Sequence, residues 1–107
     1  MAAPSARMHY TRGSSAESCP DEASMRRAVA SQLGYDPFDD QASTSVEASI
    51  VRKDDRLLGR VEVVRPNAAP GKRELSSRDA DCEHLASAMA LTISMAIDPM
   101  VISRPPP

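Results

Sequence analysis

Cys19 and Cys82 are the residues of this chain best placed to do chemistry, because each stands where a helix is expected to begin. Two cysteines offer three chemistries: a disulfide, a metal site or a nucleophilic thiol. A bond between them would tie the two helix starts together and imply an oxidising compartment, since structural disulfides rarely persist in cytosol. A metal would have to recruit His84 and His9. Cys82 and His84 are two apart on a helix and point to nearly opposite sides, and neither cysteine belongs to a Cys-x-x-Cys pair. A nucleophile needs a base within hydrogen-bond reach, and His84 points away from Cys82, while Asp79, Asp81 and Glu83 beside it disfavour a thiolate. Periodicity puts Cys82 on the inward stripe of its helix, so a Cys19–Cys82 disulfide is the expectation. Its alternative is two buried thiols, which pack as small hydrophobes.

The acidic groups Asp79, Asp81 and Glu83, and Asp36, Asp39 and Asp40, lack the Asp-x-Asp-x-Asp-Gly pattern of a calcium loop. Helix capping accounts for the first group and turn chemistry for the second. Gly13, Gly34, Gly59 and Gly71 are scattered, so they form no phosphate-cradling loop. These readings leave no catalytic residue, no cofactor and no metal to assign.

The elements that would position the cysteines follow from pattern. The first helix is expected over Pro20–Leu33, with Pro20 in the first turn, the acids Asp21 and Glu22 at its positive end, and an apolar stripe of Met25, Ala28, Val29 and Leu33. Gly34 supplies the left-handed stop, and the turn Tyr35-Asp36-Pro37-Phe38 brings Phe38 back onto the core. A hairpin follows. Closing its turn on Asp54-Asp55 sets Ile50 opposite Gly59, Ala48 opposite Val61 and Val46 opposite Val63, all facing one side. That register puts Glu47 opposite Glu62, a like-charge pair that Arg60, diagonal to Glu47, would offset. Residues Lys72 to Leu75 are a short third strand.

The second helix is capped by Ser76 or Ser77 and ends at Asp98-Pro99. Its main stripe is Cys82, Leu85, Ala86, Met89, Ile93, Ala96 and Ile97. Ala88, Leu91 and Met95 form a second stripe to one side, and His84, Ser87, Ser94 and Asp98 give the polar face. Cover is needed on more than one side of such a helix. Ala88, Leu91 and Met95 are therefore either a surface for a protein partner or neighbouring domain, or a contact with the first helix, and the second is expected.

The fold class is α+β: a two-layer sandwich ordered helix, hairpin, short third strand, helix, with both helices on one face of a small antiparallel sheet. Residues 1–17 are expected to be disordered, 18–98 to form one domain, and 99–107 to be a proline-rich tail or the start of a linker. With 107 residues and only Tyr10, Tyr35 and Phe38 as aromatics, the core must come from aliphatic side chains, and a covalent staple matters. A net charge of −2 with mixed signs excludes the basic stripe of a nucleic-acid binder. The longest apolar stretch, Leu85 to Ile97, is too short to span a membrane. Residues 1–18 contain no apolar signal-peptide core. Export would then need a leader upstream of Met1; otherwise both cysteines are reduced.

Cys19-Pro20-Asp21-Glu22, Leu33-Gly34-Tyr35-Asp36-Pro37-Phe38, Arg73-Glu74-Leu75-Ser76-Ser77 before Asp81-Cys82, and Ala96-Ile97-Asp98-Pro99 together resemble a family of uncharacterised exported bacterial domains over about residues 19 to 99. The resemblance implies two cysteines bracketing the domain, a proline-rich linker after it and no known activity. The expected function is a non-enzymatic periplasmic or envelope module that binds a protein or supports an attached domain. The alternative is a cytosolic accessory domain with reduced cysteines working as a small homodimer; a thiol-dependent enzyme comes third.

Overall fold

The computed structural model describes residues 3–13, 15–78 and 82–103. The elements run β1 (Arg7–Arg12), α1 (Glu22–Leu33), β2 (Ser45–Lys53), β3 (Arg56–Val64), β4 (Gly71–Ser77) and α2 (Cys82–Ile97), followed by a 3-10 turn over Pro99–Ser103. The strands form one four-stranded sheet in the order β1-β2-β3-β4. Both helices pack against its inner face, giving the two-layer α+β sandwich.

The hairpin register is the one its alternation dictates. Ile50 pairs with Gly59, Ala48 with Val61 and Val46 with Val63. These residues face the helices, and all of the apolar ones are buried. The turn closes on Asp54, whose φ of 58° is left-handed, a conformation that aspartate tolerates better than most side chains. The strand foreseen at Lys72 to Leu75 extends to Gly71–Ser77, so Ser76 and Ser77 belong to β4 instead of capping α2. The remaining expected caps, Asp79 and Asp81, lie outside the described residues.

The sheet is mixed, because β1 runs parallel to β2 with Met8 beside Val46 and Tyr10 beside Ala48. This corrects the expectation of disorder over residues 1–17 where the strand lies, at Arg7–Arg12. Met8 and Tyr10 alternate with His9 and Thr11 and bury against the core, and α1 is the crossover that a parallel pair requires. The outer edge of β1 is occupied. Glu22 Oε1 accepts the Tyr10 amide at 3.2 Å, and an Arg26 guanidinium nitrogen donates to the Met8 carbonyl at 3.1 Å. Glu22 and Arg26 pair with each other at 3.6 Å, and Arg26 lies 4.9 Å from the Phe38 ring centre. Phe38 itself packs on the core, as its turn implied.

The first helix starts two residues later than expected. Asp21 is its N-cap and accepts the Ser24 amide at 2.9 Å, which holds the Asp21 carboxyl below the usual range. Gly34, at φ 81°, ends the helix with its amide on the Ala30 carbonyl. Ser94 of α2 and Asp98, just beyond its end, are buried and not part of a polar face. The Ser94 hydroxyl donates to the Ala90 carbonyl at 2.7 Å, and Asp98 Oδ1 accepts the Met100 amide, so neither polar group is left unmet. Residues 99–103, the first part of the expected proline-rich tail, are a helical turn with Val101 against the core, and 104–107 lie outside the described residues.

Candidate binding surfaces

Cys19 and Cys82 are joined by a disulfide with a Cα–Cα distance of 5.2 Å. Both are buried, so the bond is part of the core. The first strand positions Cys19. Tyr10 donates its hydroxyl proton to the Pro20 carbonyl at 2.7 Å, and Arg12 donates to the carbonyls of Glu17 and Cys19 at 2.6 and 2.9 Å. Burial pushes the Tyr10 phenol up, against a smaller opposing pull from Arg12. Arg52 of β2 holds the Ser15 carbonyl of the same loop. Residues read as disordered are thus what fixes one half of the staple.

The remaining candidate chemistry disperses. His9 is exposed on the sheet's outer face and His84 on α2. Among the described residues no three His, Cys, Asp or Glu side chains converge in a way that could hold a metal. Asp36 and Asp39 accept the amides of Phe38 and Gln41 two residues on, which is turn chemistry.

Two surfaces among the described residues merit description. The outer sheet face is a shallow depression of about 550 Å³ crossed by rows of mixed charge. One row is His9, Glu47, Glu62 and Lys72; the next is Thr11, Ser49, Arg60 and Glu74. The like-charged Glu47 and Glu62 do face each other. Arg60 does not offset them, because it pairs with Glu74 at 3.2 Å, and Lys72 reaches Glu62 at 3.6 Å. These pairs are well exposed and add little stability.

The second surface is a groove of about 420 Å³ between α2 and β4. Leu91 and Met95 line it with 41% and 38% of their surface exposed. This corrects the expected contact of Ala88, Leu91 and Met95 with the first helix: Leu91 and Met95 turn towards β4, and Ala88 is half-buried. Val61, Val63 and Ala96 extend the apolar floor, while Arg65, Lys72 and Arg73 form the rim. Periodicity found the stripe; what it missed was the direction the stripe faces. Gly71 carries no side chain, and a Cβ there would meet nothing within 4 Å, so this end of β4 leaves the stripe uncovered.

No family model and no curated protein matches this chain. The chain is similar to solved structures, among them the following two. One is a ribosomal subunit interface protein from Coxiella burnetii, with TM-score 0.53 and 8% identity over 87% of this chain and 94% of that one. The other is the N-terminal domain of Protein Y from Thermus thermophilus, with TM-score 0.48 and 10% identity over 84% and 98%. The first likeness establishes a common fold. No helix among the described residues is long and apolar enough to cross a membrane.

Proposed function

We propose that this domain is a non-enzymatic accessory module that binds a protein partner through Leu91 and Met95 beside β4. The observation that carries the reading is the uncovered part of α2. Its other large apolar residues are buried, and these two are not. With both cysteines bonded, a thiol-dependent activity has no nucleophile. The test is a photo-crosslinking amino acid at position 91 of the full chain in its host, with position 32 on the far helix as control. A discrete protein adduct from 91 and none from 32 supports the reading; no adduct, or equal adducts, overturns it.

Two observations favour different compartments. The disulfide and the resemblance to exported domains support an extracytoplasmic module. Likeness to a ribosomal subunit interface protein supports the cytosolic accessory domain with reduced cysteines, acting as a homodimer or on a larger assembly. The mixed charge rows argue against RNA on the outer sheet face, since phosphate contact favours a net cationic face. Intact mass of protein alkylated in denaturant directly from the host separates the compartments: two added alkyl groups mean cytosol, none means an oxidising environment.

A further inference from the structure

We infer that the Cys19–Cys82 bond closes on a seat built by the rest of the fold, so that the domain passes between dithiol and disulfide in place, with its Leu91–Met95 surface unchanged. Each half of the seat is held without sulfur. On one side, β1 and β2 grip the loop before α1 at Gly13, Ser15, Glu17 and Cys19. The Gly13 amide donates to the Ile50 carbonyl at 2.8 Å and Arg52 Nε to the Ser15 carbonyl at 3.0 Å. Arg12 donates to the carbonyls of Glu17 and Cys19, and the Tyr10 hydroxyl to that of Pro20. Within the loop, the Cys19 amide donates to the Ala16 carbonyl and the Ala16 amide to the Gly13 carbonyl, both at 3.1 Å, and Ala16 is fully buried. On the other side, Cys82 opens α2, whose Leu85, Met89, Ile93 and Ile97 are buried in the core.

Breaking the bond between the sulfurs deletes none of these contacts. Thiols pack as small hydrophobes, so the buried site accepts them. Closing takes two protons and two electrons from the thiols of Cys19 and Cys82. Glutathione disulfide accepts them: its own sulfur–sulfur bond breaks and two glutathione thiols leave. Leu91 and Met95 lie about 13 and 20 Å along α2 from Cys82 at the rise of a helix, beyond the reach of the exchange. A reducing and an oxidising compartment therefore present the same surface to a partner. This holds for the free domain and does not depend on the protein-binding reading above.

The test equilibrates the full chain with glutathione and glutathione disulfide from both starting states. Intact mass after acid quenching and alkylation gives the oxidised fraction. Expected is an effective thiol concentration about a thousandfold above that of the same chain unfolded in urea, the ratio set by ring-closure entropy when the native state holds its cysteines together. Amide NMR of the reduced chain keeps its native dispersion, with shift changes confined to residues 13–22 and 82–86. Arg12→Ala with Arg52→Ala removes three of the loop's bonds and lowers the native effective concentration at least about tenfold. The oxidised variant's melting curve reports its folding, and the wild-type measurements stand without it. Loss of native dispersion on reduction, a ratio below about tenfold, mixed disulfides with glutathione as the main product, shift changes at Leu91 or Met95, or an unaltered value in the folded double variant each overturns the inference. If crosslinks from position 91 to a protein persist in any of those cases, the protein-binding reading stands; if the thousandfold ratio holds and the crosslinks fail, only that reading falls.

Discussion

Replacing Cys19 and Cys82 together by alanine opens a ring that holds α1, β2, β3 and β4. The two cysteines are 63 residues apart in sequence, and closing a loop of that length lowers the entropy of the unfolded chain by an amount worth about 4 kcal/mol at 25 °C. A domain of this size has a total stability of roughly 5–15 kcal/mol, so the bond is a large fraction of the whole. Each kcal/mol moves the melting temperature of a domain near 100 residues by about 4–5 °C, and the expected fall is roughly 15–20 °C. Circular dichroism melts of the oxidised chain, the same chain in reductant and the double variant measure it. The reduced chain isolates the cross-link, because both sulfurs stay in the core. The urea m-value rises on reduction, since the unfolded chain then exposes more surface. Oxidised and reduced forms melting within about 3 °C of each other would refute the ring argument.

Three other outcomes follow from single contacts. Gly59→Ala puts a Cβ 2.5 Å from the Met89 sulfur and 3.4 Å from Leu85 Cδ1; it costs about 1–3 kcal/mol by chemical denaturation, and less in a Met89→Ala background where the space is open. Asp21→Ala lowers the melting temperature at neutral pH by removing the α1 cap. Because the Asp21 carboxyl is depressed below its ordinary 3.8 by the Ser24 hydrogen bond, that contribution is full above about pH 4 and disappears as pH falls through the folded value; the wild-type and variant melting temperatures therefore converge in acid. Glu22→Ala with Arg26→Ala bares the edge of β1, and hydrogen exchange at the Tyr10 amide speeds up while the β2–β3 amides keep their protection.

The hairpin was legible because strict alternation on both sides of one short turn admits a single register with the apolar set inward. Gly34 was legible for a similar reason: few other residues stop a helix in the left-handed region. The first strand was hidden. Its alternation is carried by only Met8 and Tyr10, set in a stretch of Ala, Pro, Ser and Arg, and its partner strand lies 38 positions along the chain beyond a helix, at Ser45 for Arg7. Ser94 looked solvent-facing because residue type was read as environment. A serine that bonds the carbonyl one turn back can be buried without loss. The direction of the Leu91–Met95 stripe depended on where β4 stops and on the missing side chain at Gly71, neither of which helical periodicity encodes.

Among the described residues the two borders of the sheet are chemically unequal: side chains of α1 bond the backbone of β1, and no such contact reaches Gly71–Leu75 of β4. Head-to-tail growth of strands into a fibre consumes a free border on each side of every unit. With one such border, copies of this chain could pair edge to edge but could not extend head to tail. The same asymmetry therefore protects the molecule from polymerising through its sheet.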